Sequence, residues 1–397
     1  MTTHGRGPSG VVKERHGKHY PVVRYYDETG KRRERWLPAT KTKTAARKAL
    51  RDALHSQDHG TWQPSAEPMT YGEFLTGRWL PSLQNQVRET TLTGYARHVR
   101  VYLVPQLGGV RLDRLTGADL AAFYGRLRQE GVKGKPLAEN TVARIHATVS
   151  RSLADAVEAR LRTTNPARDL PRNARPRQGR SGGVTLRYWT ADQLGAFLGH
   201  VQAQEARFYP LARLAAYTAM RRGEVVGLRW QDVDLDAGHL SVRHTITAVD
   251  DPNGGGMRVI HGEPKSGKGR RVDLDQETVA VLKSWKAQQA QDRLALGGAW
   301  PAHGLVFTRE NGGLFHPDTA STVHDRLVKA TGLPRLTFHG LRHTHATILL
   351  ANGVPVKVVS ERLGHATVQI TLDTYGHVIP GLQGQAVDVF TKALGGA

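Results

Sequence analysis

The stretch TFHGLRHTHATILLANGVPVKVVSERLGHATVQITLDTYGH, from Thr337 to His377, organises the rest of the chain. Its apolar spacing predicts one helix over about 340–351, which the Asn352-Gly353 pair ends. A second short helix is predicted over 355–363, and a third opens near Thr367. The carboxy-terminal part of the chain is therefore expected to contain three consecutive helices joined by short turns.

Four polar side chains lie near the ends of these helices. His339 and Arg342 are three residues apart, so they share one face at the amino-terminal end of the first helix. Backbone N–H groups and the helix dipole favour a phosphate at that end. His365 follows the second helix, and Tyr375 lies on the third. Taken alone, a tyrosine near a helix end is more often a packed amphipathic residue. The four together are hard to explain as packing alone.

Two motifs resemble the tyrosine recombinases, the lambda-integrase-like site-specific DNA recombinases. The first is HGLRHTHAT followed by LGHATVQITLDTY, with His365 ten residues before Tyr375. The second is TAMRRGE at 218–224, followed by LRWQD at 228–232, which resembles the family pattern TG-M/L-R-x-GE and L-x-W-x-D. Ala219 stands where the family usually has glycine, and glycine most often serves a positive φ or a close backbone approach. We therefore expect Ala219 to affect the placement of Arg221.

The resemblance implies a role for each motif residue. Tyr375 would attack a phosphodiester, form a 3′-phosphotyrosyl link and release a 5′-hydroxyl. Arginine forks suit the charge that develops on the phosphate oxygens. The implied assignments are Arg221 and Arg342 on the phosphate, Lys265 as general acid with Lys268 as the competing candidate, His339 assisting proton transfer, His365 donating a hydrogen bond, and Glu224 holding a neighbouring basic group. Because the covalent link retains the energy of the phosphodiester, rejoining would need neither ATP nor a metal.

The histidines also allow a metal hypothesis. His339 and His343 have the i,i+4 spacing of a metal pair, but the motif lacks the glutamate of H-E-x-x-H and the chain has no cysteine. No metal and no cofactor are therefore predicted. His345 and His377 receive no role from the sequence.

Composition and charge point to a polyanionic partner. The 397 residues carry a formal charge of +21. Residues 1–68 hold 14 basic against 7 acidic residues, 69–183 hold 19 against 9, and 184–397 hold 23 against 19. Because the excess is concentrated ahead of the recombinase motifs, nucleic-acid binding by the first half is favoured over an even use of arginine on solvated faces. With no apolar run long enough to cross a bilayer and no signal-peptide pattern, the predicted location is the cytoplasm, in association with the nucleoid.

The predicted fold class is multidomain, mainly α with small β-sheets (α+β), in three domains. Residues 1–62 read as strands and one helix, similar to an arm-type DNA-binding domain. Residues 69–172 read as four helices with breaks at Pro81, at Gly108-Gly109 and in 131–135, similar to a core-binding domain. Residues 173–186 form a linker, and 187–397 form a mixed catalytic domain. The DNA-contact candidates are Arg24, Arg32, Arg33 and Arg35 on the hairpin, and Arg88, Thr90, Arg97, Arg100, Arg144 and Arg151 on the helices, beside His98, His146 and Thr148.

Within the catalytic domain, Thr190 is predicted to cap a helix, and strands are predicted over 240–248, 257–263 and 270–274. The segment 264–269, which contains the two lysines, is predicted to be a tight turn. Residues 385–394 are predicted to form a tail helix with an apolar stripe. The sequence leaves open whether this helix packs on its own domain or on a neighbouring subunit.

The sequence thus predicts an integrase of a phage or mobile element that acts on double-stranded attachment sites. The resemblance implies a synaptic tetramer on DNA, with a DNA-bending or directionality protein as an accessory. The arm-like first domain favours integration and excision over chromosome-dimer resolution. A catalytically weak DNA-binding regulator is the alternative in another class, with Ala219 as its hint. A nicking activity of topoisomerase type is less favoured, because tandem basic domains indicate synapsis.

Overall fold

The computed structural model describes residues 9–26, 31–58, 69–131, 134–176, 186–251, 256–263, 269–378, 387 and 390–395. The chain divides into two compact units, Met1–Gly182 and Gly183–Ala397, and each is described by itself. The predicted α+β class is confirmed, with helices forming most of both units and strands forming small sheets.

The first unit begins with an antiparallel three-stranded sheet and one helix. Its elements are β1 (Ser9–Arg15), β2 (Lys18–Tyr26), β3 (Arg32–Trp36) and α1 (Lys43–Asp58). His16 and Gly17 join β1 to β2 with φ of 50° and 70°, a turn whose twist suits a two-residue hairpin. Val22, Val23 and Ala46 are fully buried where α1 covers the sheet. Residues 27–30, between β2 and β3, lie outside the described residues.

The helical part of the first unit contains two prolines inside helical segments. Its elements are α2 (Tyr71–Phe74), a π segment (Leu75–Trp79), α3 (Leu80–Ser82), α4 (Glu89–His98), a π segment (Val99–Leu103), α5 (Val104–Leu107), α6 (Gly117–Gln129) and α7 (Glu139–Glu158). Pro81 and Pro105 each follow a π segment, in which the N–H before the proline bonds five residues back, from Leu80 to Leu75 and from Val104 to Val99. The helix therefore continues through Pro81 to Ser82, and the predicted break at Pro81 is wrong. The wider π turn accommodates the proline ring.

Polar residues predicted on the basic faces of these helices are partly internal. His98 Nδ1 and Thr148 Oγ1 are 2.7 Å apart, and the Tyr124 hydroxyl lies 2.9 Å from His146 Nδ1. Thr148 is 1% exposed and His146 is 7% exposed. Burial lowers the pKa of both histidines, so they serve the core as neutral hydrogen-bonding groups. These side chains therefore contact neighbouring helices, although the sequence places them on faces that look basic.

The second unit packs helices against small sheets. The helices are α8 (Ala191–Gln204), α9 (Tyr209–Thr218), α10 (Arg222–Val226), α11 (Gln276–Leu296), α12 (Pro317–Thr331), α13 (Phe338–Ala351), α14 (Val356–Leu363) and α15 (Val368–Tyr375). Thr190 caps α8 as predicted, in a reciprocal pair with Gln193. The three helices predicted over the carboxy-terminal motif are present as α13, α14 and α15.

The strands of this unit form two separate sheets. They are β4 (Val233–Asp234), β5 (His239–Val242), β6 (Thr245–Asp250), β7 (Met257–Gly262) and β8 (Arg270–Asp273). The sheet order is β4-β5-β8, while β6 pairs with β7 alone. The predicted strand over 240–248 is interrupted at Arg243 and His244, whose side chains lie 3.7 and 3.4 Å from Asp232. The interruption lets β5 and β6 join different sheets.

Two apolar clusters organise the second unit. The larger one contains Phe197, Leu214, Trp285 and Phe338, and a smaller one surrounds Tyr375. The predicted tail helix over 385–394 lies largely outside the described residues; its described part includes Phe390 and Leu394, which are 67% and 72% exposed. Among the described residues, no helix is long and apolar enough to span a membrane.

Candidate active site

The motif residues of the second unit meet at five helix ends. Helix α9 ends at Thr218, α10 begins after Arg221, α13 begins at Phe338, α14 ends before Gly364, and α15 ends at Tyr375. Helix ends leave backbone groups unpaired, so they offer N–H and C=O groups to nearby side chains. The structure thus brings together Arg221, Glu224, His339, Arg342, His365 and Tyr375.

Ala219 ends α9 in a left-handed conformation, with φ 54° and ψ 24°. A residue with a Cβ pays about 1–2 kcal/mol for this conformation, whereas glycine does not. Ala219 is fully buried, and its carbonyl accepts a hydrogen bond of 2.8 Å from Arg342 Nη1. The expectation of a positive φ here is confirmed, and its direct consequence is the position of Arg342.

Glu224 is the carboxylate that organises the arginines. Its Oε1 accepts from Arg221 Nη1 at 2.8 Å, and its Oε2 accepts from the Arg221 backbone N–H at 2.9 Å and from Arg270 Nη2 at 2.7 Å. Its side chain is 1% exposed. Burial raises the pKa of Glu224, but the hydrogen bond and charge of Arg270 and the contacts of Arg221 outweigh burial and hold the pKa below its usual value. The basic group that Glu224 was predicted to hold is therefore a pair of guanidinium groups, those of Arg221 and Arg270.

Arg270 belongs to the site although the sequence analysis assigned it no role. Its Nε donates to the Arg362 carbonyl at 2.9 Å, and its Nη1 is buried without a hydrogen-bond partner. A Cβ on Gly364 would lie 2.8 Å from Arg270 Cδ, so glycine is required where this side chain passes. Strand alternation could have indicated this role, because Arg271 points outward and Arg270 must then point inward.

Within the described residues, two guanidinium groups bond the Glu224 carboxylate, and a third lies close to them. Arg221 and Arg270 bond Glu224, and Arg342 is 3% exposed with Nη2 unpartnered. Burial, together with the charges of Arg221 and Arg270, lowers the pKa of Arg342 to about 9, so it stays protonated at pH 7. Two positive charges remain uncompensated by Glu224. An anion such as a phosphodiester satisfies both the charge and the free N–H groups.

The histidines near these arginines are neutral at pH 7. Burial and the charges of Arg342 and Arg221 lower the pKa of His365 to about 4, and its Nδ1 lies 2.8 Å from Thr371 Oγ1. Desolvation, and then the charges of His343 and Arg342, also lower the pKa of His339. Because the His339 side chain is exposed, solvent weakens this shift. Neutral imidazoles can donate a hydrogen bond to a phosphate without adding to the repulsion among the cations.

His345 received no role from the sequence. In the structure this residue of α13 contacts both α9 and α14. Its Nδ1 lies 2.8 Å from the Ala216 carbonyl, and its Nε2 accepts from Arg362 Nε at 3.1 Å. Arg362 Nη2 also donates to the Tyr217 carbonyl at 2.8 Å. These contacts satisfy the last carbonyls of α9 just before Ala219. Helices α13 and α14 are thereby tied to the segment that carries Arg221.

Tyr375 is 1% exposed and lies in the small apolar cluster. Burial raises the pKa of its hydroxyl to about 12, although the charge of Arg342 opposes the rise. The hydroxyl lies 2.8 Å from His343 Nδ1, a contact that the sequence analysis did not foresee. Tyr375 is therefore a neutral phenol at pH 7, held beside the cationic group.

The remaining predicted site residues are placed as follows. Lys265 and Lys268 lie outside the described residues. Arg24 is half-buried and bonds Glu34 at 3.0 Å, and Arg151 bonds Asp155 at 3.0 Å. Arg35 is partly exposed; the exposed candidates are Arg32, Arg33, Arg88, Thr90, Arg97, Arg100, Arg144 and Arg151. The arginine and threonine candidates for DNA contact belong to the first unit.

The metal hypothesis gains no support from the geometry. The rings of His339 and His343 are 4.9 Å apart, edge to face. Among the described residues, no group of three or more histidines and carboxylates could hold a metal ion. The arrangement instead suits an anion.

Comparison with known proteins agrees with this site. The sequence pattern of the phage integrase family matches residues 187–380. A tyrosine recombinase XerC-like protein of Caldanaerobacter subterraneus is 27% identical over 376 residues, which cover 91% of this chain and 92% of the relative. Tyrosine recombinase XerC of Mycobacterium tuberculosis is 30% identical over 275 residues, which cover 68% of this chain and 81% of the relative.

Solved structures share the fold. The Tn1549 transposon integrase in complex with transposon right end DNA is similar with a TM-score of 0.64 at 19% identity, over 82% of this chain and 99% of that chain. A lambda integrase dimer bound to a COC' core site is similar with a TM-score of 0.54 at 20% identity, over 76% of this chain and 97% of that chain. The family match and the relatives define a class of enzymes that recombine DNA strands. The chain belongs to the phage integrase family of tyrosine recombinases, and it is a site-specific recombinase.

Proposed function

We propose that this recombinase integrates and excises a phage or mobile element by cutting each DNA strand through Tyr375. The observation that carries the proposal is the buried tyrosine beside the buried Arg342, in a cluster where Arg221 and Arg270 bond the carboxylate of Glu224. Arg221 and Arg342 would bind the non-bridging oxygens of the scissile phosphate, where charge grows in the pentavalent state. The Tyr375 oxygen would form a bond to phosphorus as the bond to the 5′ oxygen breaks.

The other motif residues complete the reaction. Lys265 would give its proton to the leaving 5′ oxygen, His339 would assist proton transfer, and His365 would donate a hydrogen bond to the phosphate. The pKa of Tyr375 must fall from about 12 for attack, and this requires the cations to act on the phenolate. Attack by the freed 5′-hydroxyl of a partner strand on the phosphotyrosyl bond would then rejoin the DNA without a metal or ATP.

The partners follow from the same proposal. The Tn1549 integrase is known in complex with DNA, and lambda integrase is known as a tetramer bound to a Holliday junction. By analogy, this chain would form a synaptic tetramer on double-stranded attachment sites, aided by a DNA-bending or directionality protein. Residues 1–62 would bind arm-type sites, 69–172 core sites, and 173–186 would connect them to the catalytic domain 187–397. The protein would act in the cytoplasm, associated with the nucleoid.

The regulator alternative is not favoured. It rested on Ala219, yet this residue adopts the left-handed conformation that a glycine would provide, and its carbonyl holds Arg342. A chain that had lost cleavage would have no need to keep Arg342 protonated and buried beside Tyr375.

Covalent trapping tests the proposal. A nicked suicide substrate made from the element's own junction would be incubated with the full chain in chelator, and adducts would be resolved on a denaturing gel and mapped by peptide mass. We expect a phosphotyrosyl peptide that contains Tyr375. The matched variant Tyr375→Phe should bind the same DNA and form no adduct. An adduct on another residue, or one that survives this substitution, would overturn the assignment.

A further inference from the structure

His343 makes the polar contact to the Tyr375 hydroxyl. It lies one turn after His339 on α13, and 32 residues separate it from Tyr375 in sequence. The His343 Nδ1 to Tyr375 Oη distance is 2.8 Å, and the two ring centroids are 5.7 Å apart. The distance is that of a normal hydrogen bond, whichever atom is the donor. The contact therefore joins α13, which carries Arg342, to the end of α15.

The apolar residues that pack with Tyr375 cannot orient its hydroxyl. The neighbours of the ring in its cluster are apolar: Ala219, Ala346, Leu350, Val359 and Leu363. Apolar packing fixes the plane and depth of a ring but gives no direction to a phenolic O–H. Among the described residues, the hydrogen bond with His343 supplies that direction. An attacking atom must approach phosphorus in line with the leaving oxygen, and displacement by about 1 Å can cost about 100-fold in rate.

The charges around His343 are compatible with this role. Arg342 is its neighbour on α13, His339 stacks edge to face against it at 4.9 Å between ring centroids, and Tyr375 faces it from α15. His365, after α14, also lies within electrostatic range. Burial, and then the charge of Arg342, lowers the pKa of His343, so its ring is neutral at pH 7. A neutral ring can hold the hydroxyl without adding a further cation to the cluster.

We propose that His343 is a positioning residue that aims the Tyr375 hydroxyl at the scissile phosphate. The inference rests on the proposed role of Tyr375 as nucleophile. It assigns His343 to the nucleophile side of the reaction, apart from Arg221 and Arg342 on the phosphate and Lys265 on the leaving group.

The test compares His343→Asn with His343→Ala in the full chain. The asparagine Oδ1 can occupy the place of Nδ1 and keep a hydrogen bond to the phenol, whereas alanine cannot. Single-turnover cleavage would be measured on the suicide substrate at saturating protein, with DNA affinity and thermal unfolding measured alongside. We expect alanine to slow cleavage by about 10- to 100-fold and asparagine to stay within about threefold of the parent. His200→Ala, on α8, controls for loss of an imidazole elsewhere in the unit.

A second substrate separates the two sides of the reaction. A 5′-bridging phosphorothiolate has a sulfur leaving group that departs without a proton, so it makes general acid catalysis dispensable. If His343 acts on the nucleophile, the alanine variant should remain as slow, relative to the parent, on this substrate as on normal DNA. Recovery on the phosphorothiolate would place His343 on the leaving-group side and overturn the proposal.

The remaining outcomes also test the role of His343 or the proposed function. Equal rates in the parent and the alanine variant would show that the contact is packing, and faster cleavage by the alanine variant would show that His343 restrains Tyr375; both overturn the proposal. Equal losses in the asparagine and alanine variants would show that the imidazole itself is needed, which overturns positioning. Failure of the parent chain to form a Tyr375 adduct would instead refute the proposed function, independently of His343.

Discussion

The basic residues of the two units differ in their surroundings. In the first unit, Arg24 and Arg151 lie in partly exposed ion pairs with Glu34 and Asp155, which water screens. In the second unit, Arg342 is 3% exposed and the Arg270 side chain is 9% exposed, and each keeps a nitrogen without a hydrogen-bond partner. Charge on a surface adds to a field that attracts DNA, whereas buried, unsatisfied charge defines a place for one phosphate. Burial, more than the number of charges, therefore distinguishes the cluster around Glu224 from the exposed arginines of the first unit.

Removing the newly found arginine should have the largest effect. Arg270→Met leaves the buried Glu224 with one guanidinium partner, and breaking a buried ion pair costs about 3–5 kcal/mol. We expect a large loss of stability in urea unfolding. At temperatures where the variant is folded, we expect single-turnover cleavage to be at least 100-fold slower, because Glu224, which holds Arg221, loses one of its two guanidinium partners. The adjacent Arg271→Met is the matched control, because Arg271 is exposed and should change stability by no more than about 0.5 kcal/mol. Equal effects of the two substitutions would contradict the distinction drawn here.

Acid should destabilise the second unit through a buried histidine. Burial lowers the pKa of His324 to about 4, while the unfolded chain has the usual value of about 6.5. Because the unfolded state binds the proton first, stability is full above pH 6.5 and falls as the pH drops toward 4, by about 2 kcal/mol at pH 5. His324→Gln can keep the donor to the Leu336 carbonyl, which lies 3.1 Å from Nε2. Tryptophan-detected urea unfolding at pH 7 and pH 5 should show a smaller difference in this variant; an unchanged difference would exclude His324 as the source.

Single arginines on the first unit should have modest and uniform effects. Arg88→Gln or Arg144→Gln removes an exposed charge from the helical region. If the residue contacts a phosphate, the slope of log affinity against log salt should fall by about 1, equally for specific and unrelated DNA. Fluorescence anisotropy over a salt series measures this slope. A loss confined to the attachment site would identify a base-reading residue and would weaken the contrast between the two units.

The smallest expected change comes from Ala219→Gly. Glycine relieves the left-handed strain but adds freedom to the unfolded chain, so a net gain of about 0.5 kcal/mol is expected. Differential scanning calorimetry should show a small rise in Tm. Ala215→Gly, within helix α9, should act in the opposite direction by about 1 kcal/mol or more. Destabilisation by glycine at position 219 would contradict the strain argument.

Local signals made much of the fold predictable. The ends of α13 and α14 follow from Asn352-Gly353 and Gly364, and the start of α8 follows from Thr190. These signals act within one or two helical turns, so the sequence contains their whole physical cause. The same holds for the alternation of β1 to β3. The prediction of one strand over 240–248 was wrong because its two halves, β5 and β6, pair with distant strands in different sheets.

The order of the elements and, through the family motifs, the residues proposed for catalysis therefore follow from the sequence. Their contacts follow only from the packed fold: Ala219 with Arg342 across 123 residues, Arg270 with Glu224 across 46, and His343 with Tyr375 across 32. The physical reason is that hydrogen-bond geometry and burial depend on side chains packed from distant elements, and a spacing pattern specifies the face of one element but not its neighbour.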